Sequence, residues 1–461
     1  MMVREVKGER RELRREVGFF GVLGQSVAGV APTTTPTINV ALVFAVAGSG
    51  SWFAYLIATC GMLLVALNLR QFARHIAGAG SLSEFAGHGL GPLGQLITAW
   101  ALLLAYITVS AATLAGSAAY LSALFTSAGL TLPILLWVAV EGTIAVIFAF
   151  RDIRLSTLTM LALECFSILL VVLLGVAILH RQGLAVDLSQ FSTESIATGG
   201  LGGALLIAVL SFVGFEAAAT LGDEAKKPLR DIPRALVITT LLAGIFFVFA
   251  AYVIVLGFNR YNIPVATSSA PLDDLAHAMK LPGLGILVSL GTAISLFTCA
   301  VASMLAASRI AFALARQGNL PAALGRLDQR SRPIVGVGIA ALLTMVLTLA
   351  LASFAKPLDI YDWLGTFGTF GCVIAYAMVC AAAPVYLRRK GELRGHHLAI
   401  AAGALALLGF VLFGSVYPVP APPMNVLPWL FAALLAAGTL YSLGHQRGMR
   451  QDRGGLTAKP G

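Results

Sequence analysis

Long apolar runs without charged residues recur along the whole chain, and they constrain the fold more than any other feature. Crossing about 30 Å of hydrocarbon takes roughly 20 mostly apolar residues per helix, and twelve such runs can be marked off by charge, glycine and proline. Hydrophobic residues make up 58% of the 461 residues and charged residues only 11%, far below the roughly 25% of soluble domains. The sequence therefore predicts an all-α polytopic membrane protein with 12 transmembrane helices.

The predicted spans form two groups of five and a final pair. They lie near 18–46, 51–69, 93–125, 132–150 and 155–179, then near 198–221, 234–258, 283–315, 334–353 and 361–387, and finally near 396–415 and 425–444. The chain then divides into a tail at 1–17, a first block at 18–179, a second block at 198–387, two further spans at 396–444 and a tail at 445–461. No soluble domain of useful size remains.

The distribution of Lys and Arg between the spans predicts the orientation. With the N-terminus inside, 27 of the 31 basic residues fall in inside segments, and only Arg181, Arg260, Lys280 and Lys356 fall outside. Such an excess on one side is the pattern of cytoplasmic loops. We therefore expect a multi-pass protein of the cytoplasmic membrane, in contact with membrane lipid, with both termini in the cytoplasm.

The same pattern argues against other classes. The net charge of +10 is spread over short loops and accompanies no nucleic-acid-binding motif, so no nucleic-acid partner is expected. The cysteines all fall inside apolar runs without metal-ligand spacing and are expected to be small buried residues, with no metal bound. They are Cys60, Cys165, Cys299, Cys372 and Cys380.

Helix-breaking residues interrupt the first and sixth predicted spans. Gly29, Pro32 and Pro36 lie within the first, together with Thr33, Thr34 and Thr35; Gly199, Gly200, Gly202, Gly203 and Gly214 lie within the sixth. Freed backbone groups at membrane depth are tolerated where protein or a water-filled cavity satisfies them. Spans one and six correspond if spans six to ten repeat spans one to five inverted, which predicts a binding site at the two breaks. Packing glycines and proline kinks are the alternative interpretation.

The sixth span and the loop after it carry the clearest motif. Residues 211–216 read SFVGFE and residues 222–235 read GDEAKKPLRDIPRA, and this sequence resembles the amino acid/polyamine/organocation permease superfamily. Further matches are Ala79-Gly80-Ser81-Leu82 before span three and the segments at 307–309 and 315–321 after span eight. The resemblance covers nearly the whole chain in order.

This resemblance implies a five-plus-five inverted-repeat core of the LeuT type with two additional C-terminal helices. Members of the superfamily carry amino acids, polyamines or related amines by proton-coupled symport or by exchange. The substrate lies between the broken segments of spans one and six and faces spans three, eight and ten. We therefore expect a secondary transporter of an amino acid or related amine, not an enzyme. No cofactor is expected beyond a coupling ion.

The break of span one is the first part of the expected substrate site. Ser26, Ala28, Gly29, Val30 and Ala31 would present backbone groups there, and unpaired N–H groups at a half-helix start suit a carboxylate. Many superfamily members have Gly-Ser-Gly at this position, and this chain departs from that pattern. Weaker candidates are Tyr106 on span three and the start of span ten, at Tyr361, Asp362 and Trp363.

Glu216 on span six is the sharpest single candidate. Gly214 and Glu216 would line one cavity only if the helix is unwound, and an acid within an apolar span is expected to be functional. The position Gly214-Phe215-Glu216 matches a Gly-x-Glu of the arginine/agmatine and putrescine/ornithine exchangers. Phe212 and Phe215 resemble the aromatic gate of the family. The alternatives are a Glu that stabilises the broken helix and plain packing for the two rings.

The coupling ion is expected to be a proton, carried by Glu216 or by Glu164 on span five. Proton-coupled relatives carry a lysine on that span, and this chain has Glu164 instead. Sodium bound by the hydroxyls of Ser295 and Thr298 on span eight is the alternative, although such hydroxyls also serve helix packing. Exchange is the alternative to proton-coupled uptake.

Three other functional classes fit the sequence less well than transport does. A membrane-embedded enzyme would need a catalytic cluster, and all seven histidines lie in loops or near span ends. A nutrient sensor on a transporter scaffold is not favoured, because no cytoplasmic output domain is present. A channel fits less well than alternating access around one site.

Overall fold

All regular elements in the described part of the chain are helical. The computed structural model describes residues 12–151, 153–183, 187–191, 201–263, 265 and 270–457, with side chains up to residue 446. Ten segments among them are long and apolar enough to cross a membrane. The protein is therefore a multi-pass membrane protein, as the sequence predicts, with about ten spans by this measure.

The first half of the chain contains six helices, and the first two of them, α1 and α2, belong to one interrupted span. One of the ten apolar segments, the 55-residue stretch Phe19–Ala73, contains two of the predicted spans, which join at a turn over Gly48–Gly50. The 16-residue helix α5 is apolar but shorter than the others. The helices are α1 (Phe19–Val30), α2 (Val40–Ala47), α3 (Ser51–Ala73), α4 (Leu82–Ser127), α5 (Ile134–Ala149) and α6 (Ile153–Arg181).

The second half begins with another interrupted span and ends with two helices that pack at the outside. The interrupted span consists of α7 (Leu201–Leu210) and a 3-10 segment at Phe215–Leu221. The following helices are α8 (Pro228–Tyr261), α9 (Pro271–Ala278), α10 (Pro282–Arg316), α11 (Ile334–Ala352), α12 (Pro357–Lys390), α13 (Gly395–Gly414) and α14 (Leu427–Thr457).

Several helices extend beyond the apolar runs that predicted them. Helix α8 begins at Pro228, six residues before the predicted start, because proline is well suited to a first helical position and the charged residues after it form a regular turn. Helix α4 begins at Leu82, and Gly91 (φ 79°) breaks it before the apolar run. Hydropathy alone does not detect charged helical turns outside the hydrocarbon.

Helices α4, α10 and α12 form the centre of the molecule. Helix α4 packs extensively against both α12 and α10, and α3 packs against α8. The outer surface carries many exposed Leu, Ile, Val and Phe side chains, as a lipid-facing surface requires. Two cysteines expected to be buried, Cys60 and Cys165, instead lie on this surface, because their positions on α3 and α6 point away from the bundle.

Candidate functional site

Helix α1 stops in the middle of its predicted span. Ala31 follows it in a left-handed conformation (φ 48°, ψ 63°), and its N–H donates to the Ala28 carbonyl at 3.2 Å. The chain resumes as a π-helical turn at Thr35–Asn39. Pro32 and Pro36 cannot donate backbone hydrogen bonds, so a continuous helix across this stretch is disfavoured. The predicted break of span one is confirmed.

The second break lies between α7 and the 3-10 segment. Gly214 occupies it with φ 104°, a conformation that glycine adopts without strain. Gly202 and Gly203 lie inside α7 and do not contribute to the break, whereas Gly199 and Gly200 lie outside the described residues. The expectation of a broken sixth span is correct, and of its three glycines within the described residues only Gly214 lies at the break.

The two breaks touch through their glycines. A Cβ atom added to Gly29 would collide with the Gly214 carbonyl, and one added to Gly214 would collide with the Gly29 carbonyl. The Ser26 hydroxyl donates to the Phe215 carbonyl in the same region. The absence of side chains at both glycines therefore allows the interrupted spans to cross in direct backbone contact.

A cavity of about 130 Å³ lies beside this crossing. Its walls come from the end of α1 and the turn after it, and from α4, α7, α10 and α12. Gly29, Val30 and Ala31 are part of the lining, and the exposed side chain of Asp362 lies at its edge. We call this space the central cavity. The resemblance implied a site in this place, between the broken spans and facing spans three, eight and ten.

Several predicted substrate contacts lie outside the lining of the central cavity. Gly214 and Glu216 do not line the central cavity together in this structure, because Glu216 points toward α4 and α12. Phe212 and Phe215 are fully buried, Phe212 against Phe247 and Phe215 against Tyr376. The predicted contacts outside the lining are Ser26, Ala28, Tyr106, Phe212, Gly214, Phe215 and Glu216.

Glu216 is instead held by donors from three elements. Its carboxylate accepts hydrogen bonds from the Tyr106 hydroxyl at 3.0 Å, from the Gly214 N–H at 3.0 Å and from the Tyr376 hydroxyl. The Cys372 thiol lies 3.6 Å from one carboxylate oxygen. This arrangement ties the 3-10 segment to α4 and α12, which favours the helix-stabilising alternative for Glu216.

Glu164 forms a second buried carboxylate cluster. The Ser295 hydroxyl donates to its two oxygens at 3.1 and 2.9 Å, and the Thr298 hydroxyl donates to it as well. Glu164 is fully buried on α6, and both hydroxyls belong to α10. The two residues predicted to bind sodium are therefore hydrogen-bonded to Glu164.

The central cavity contains polar residues that the sequence did not rank highly. Thr34 lies in the lining, and its buried hydroxyl has no hydrogen-bond partner among the described residues. The Asn39 amide donates to the Ser211 hydroxyl at 2.8 Å, and both residues belong to the lining. The sequence marks Thr34 only as part of the broken segment, because an unpaired hydroxyl cannot be recognised from sequence.

Glu141 on α5 is a buried acid that sequence reasoning missed. It is 4% exposed, and among the described residues no donor lies at hydrogen-bonding distance and angle from either carboxylate oxygen. The Ser117 hydroxyl lies beside it but donates to the Ala293 carbonyl at 2.9 Å. The rule that singled out Glu164, an acid inside an apolar run, would have found Glu141 too.

The end of the bundle opposite Asp362 is closed by polar contacts. Arg309 and Glu224 form an ion pair whose side chains are 2% and 6% exposed, and Arg309 also donates to the Leu305 carbonyl at 2.7 Å. Val17 pairs with Ala225 in a short parallel bridge. The Ala79 N–H donates to the Asp223 carboxylate at 3.0 Å. We call this set of contacts the polar seal.

Comparison with known proteins gives one family and several relatives. The family model described as amino acid permease matches residues 21–420. The branched-chain amino acid permease BcaP of Bacillus subtilis is 22% identical over 405 residues, covering 84% of each protein. That of Lactococcus lactis is 26% identical over 371 residues, covering 75% of this chain and 76% of the relative. The low-affinity putrescine importer PlaP of Escherichia coli is 26% identical over 317 residues, covering 65% of this chain and 68% of the relative.

Solved structures support the fold. A manganese transporter of Eremococcus coleocola superposes with a TM-score of 0.56 at 13% identity, covering 94% of each chain. At that identity the likeness concerns the fold and not the substrate. Within the described ranges, no three His, Cys, Asp or Glu side chains come together as a metal site would require.

Proposed function

Because the chain belongs to the amino acid permease family, we propose that it is a secondary active transporter that moves an amino acid or related amine across the cytoplasmic membrane by alternating access. The central cavity carries this proposal, since it lies where the two interrupted spans cross. Interrupted helices at corresponding positions are where transporters of this architecture bind their substrates.

The architecture we propose is twelve spans, with a five-plus-five inverted repeat and both termini in the cytoplasm. The breaks in the first and sixth predicted spans support the repeat. The turn at Gly48–Gly50 and the short helix α5 account for the difference between ten apolar segments and twelve spans. The division of basic residues, 27 against four, supports the orientation.

We propose an amino acid with an aliphatic side chain as the substrate. Val30, Val109, Leu210, Val213 and Leu296 give the central cavity an apolar part. The helical stretch that resumes after the break begins at Thr35 beside the cavity, and the N–H groups of a helix start suit a carboxylate. The carboxylate of Asp362 suits the amino group, and it is the only charged side chain among the described residues that line the cavity. The relatives named as branched-chain amino acid permeases agree with this choice.

A diamine is the second candidate. The same carboxylate of Asp362 favours it, because the described lining contains no cationic side chain to meet a substrate carboxylate. The relative named as a putrescine importer supports this candidate. The two candidates differ in whether the amides at the break of α1 take part in binding.

We assign proton coupling to Glu164. Its carboxyl is buried at membrane depth between α6 and α10, and its partners are neutral hydroxyl groups that can accompany either protonation state. Sodium at this cluster is the alternative coupling ion, because the hydroxyl oxygens of Ser295 and Thr298 keep lone pairs while they donate to Glu164. Glu216 remains the alternative proton carrier, and exchange remains the alternative to symport.

Ligand-induced thermal stabilisation tests the substrate class. A ligand that binds only the folded state raises the melting temperature, and the stabilisation grows with the logarithm of its concentration relative to its Kd. We expect leucine to stabilise the purified protein more than leucinamide, which lacks the carboxylate, and more than putrescine. Stabilisation by putrescine and leucinamide, with none by leucine, would transfer the proposal to the diamine.

Uptake into proteoliposomes at different external pH tests the coupling. Wild-type uptake should rise as external pH falls, because proton binding precedes inward movement. Glu164→Gln imitates a permanently protonated side chain, so its exchange activity should persist while net uptake loses its pH dependence. Ser167→Ala, which changes a buried hydroxyl on the same helix that donates only to the Leu163 carbonyl, is the control and should keep the wild-type pH response. An unchanged pH response in Glu164→Gln would rule out this residue.

A further inference from the structure

A second, strongly basic cavity lies at the same end of the bundle as the polar seal, away from the substrate pathway. Its volume is about 400 Å³, and it is lined by Gly18 and Phe19 together with Lys226, Lys227, Arg230, Asp231 and Arg234. We call it the basic cavity. Four cations and one carboxylate leave it with three net positive charges.

The four cations of the basic cavity are not neutralised by the protein. All four side chains are exposed, and none of them forms an ion pair with another described residue. Asp231, which is 7% exposed, is the one acid in the lining. Like charges that line one cavity repel one another, and a bound counter-charge relieves this repulsion. The cavity is therefore built to attract an anion.

Two helix N-termini meet at the basic cavity. Gly18 and Phe19 begin α1, and Lys227 immediately precedes Pro228 at the start of α8; neither helix has a side-chain cap. The start of a helix carries partial positive charge, and the unpaired N–H groups here lie mainly at the start of α1, because Pro228 has no N–H and the Arg230 N–H donates to the Lys227 carbonyl at 3.1 Å. The Val17 carbonyl accepts from the Lys226 N–H at 2.8 Å, which fixes the two helix starts beside each other. Both helix ends add to the attraction of an anion.

Apolar side chains beside the basic cavity face outward. Phe20 is 65% exposed and Leu229 is 47% exposed, each next in sequence to a helix start that borders the cavity. In a membrane protein such residues face the acyl chains, while basic residues at the helix ends lie at the headgroup level. A ligand with a phosphate group and an apolar tail would satisfy both parts of this surface.

We propose that the basic cavity binds the phosphate headgroup of an anionic phospholipid, with the acyl chains against Phe20 and Leu229. The four cations contact the headgroup phosphate, and the N–H groups at the start of α1 together with the positive ends of both helix dipoles complete the site. The lipid thereby holds the starts of the two helices together, next to the polar seal.

Native mass spectrometry of the purified protein with added phosphatidylglycerol tests the site. The test variant carries Lys226→Gln, Lys227→Gln, Arg230→Gln and Arg234→Gln. We expect its affinity for phosphatidylglycerol to fall by at least about tenfold, since each basic residue near a membrane surface strengthens anionic lipid binding. Phosphatidylcholine should bind both proteins weakly and equally.

A matched control removes the same number of charges from the same end of the bundle. It carries Arg388→Gln, Arg389→Gln, Lys390→Gln and Arg394→Gln, and the Arg389 guanidinium contacts the His88 carbonyl in the segment next to the polar seal. The control should bind phosphatidylglycerol as the wild type does. Equal losses in both variants would show general charge attraction and overturn the proposal.

Two further measurements separate the remaining explanations. If the fourfold variant unfolds, Arg230→Gln with Arg234→Gln serves in its place, because both side chains are exposed; this variant should still lose phosphatidylglycerol binding several-fold. Inorganic phosphate should not displace the lipid at equal concentration, because it lacks acyl chains. Displacement by phosphate alone would identify a site for soluble anions and contradict the lipid assignment.

Discussion

The central cavity and the polar seal lie at different levels of the helix bundle and are built from different chemistry. The cavity is lined by backbone, hydroxyl groups and aliphatic side chains, with the exposed Asp362 at its edge. The seal consists of the buried pair of Arg309 with Glu224 and a backbone bridge. Removing one partner of a buried ion pair lowers the free energy of unfolding strongly, whereas an exposed carboxylate contributes little to it. Changes in the seal should therefore alter stability, and changes in the cavity should alter substrate affinity.

Arg309→Ala should have the largest effect. It leaves the Glu224 carboxylate buried without its partner, which costs about 3–5 kcal/mol, so both the melting temperature and uptake should fall sharply. The exposed Arg388→Ala is the control and should behave as wild type. Replacing both partners, as Arg309→Met with Glu224→Leu, should recover most of the stability but not the uptake. Full stability in Arg309→Ala would show that the seal is not held by this pair.

Gly29→Ala should come next. The new methyl group would meet the Gly214 carbonyl, which is backbone and cannot move aside alone, so about 1–3 kcal/mol of stability and most uptake should be lost. Gly409→Ala on α13 is the control, because a Cβ atom there has no neighbour within 4 Å. Thermal unfolding and uptake of both variants test this. Normal uptake in Gly29→Ala would separate transport from the contact between the breaks.

Glu216→Gln should reduce uptake by about tenfold, because this factor corresponds to the free energy of one hydrogen bond to a charged group. An amide NH₂ would face the hydroxyls of Tyr106 and Tyr376, which both donate to the carboxylate. Tyr376→Phe alone should have a smaller effect, and the double variant should lose less than the two single losses combined. Strictly additive losses in a double-mutant cycle would show that the two residues act separately.

Asp362→Asn should have the smallest effect and should be confined to substrate affinity. Exposed charge pairs contribute about 0.2–1 kcal/mol, so KM should rise by no more than about fivefold while the melting temperature stays constant. Asp359→Asn, an exposed acid one turn earlier that does not line the cavity, is the control. Equal KM changes in both variants would indicate a general surface-charge effect and remove Asp362 from the site.

The spans and the two breaks could be predicted from sequence because they depend on local properties. Apolar runs marked the membrane helices, and Pro32, Pro36 and Gly214 marked places where the helical hydrogen-bond pattern fails. The start of α8 at Pro228 could not be predicted this way, because its first turns carry charged residues and fall outside the apolar run.

The partners of the buried acids required the tertiary structure. The depth of Glu216 in its span suggested a function. Its partners Tyr106 and Tyr376 come from two other helices, and they reach Glu216 only because of how those helices pack against the sixth span. The same holds for Glu164 and its hydroxyl donors on α10. Sequence patterns gave the acids, and only the packing of helices showed that their donors turn Glu216 away from the cavity.

Protection of a thiol in the central cavity tests the account most directly. Gly365→Cys places the thiol in the cavity lining where a Cβ atom has no neighbour within 4 Å, in a chain whose exposed Cys60 and Cys165 are replaced by Ser. Gly283→Cys at the start of α10, outside the described lining, is the control. The account predicts that a membrane-impermeant thiol reagent labels both variants and that leucine slows labelling only in Gly365→Cys. Equal labelling with and without leucine, under conditions where leucine is transported, would contradict a substrate site in the central cavity.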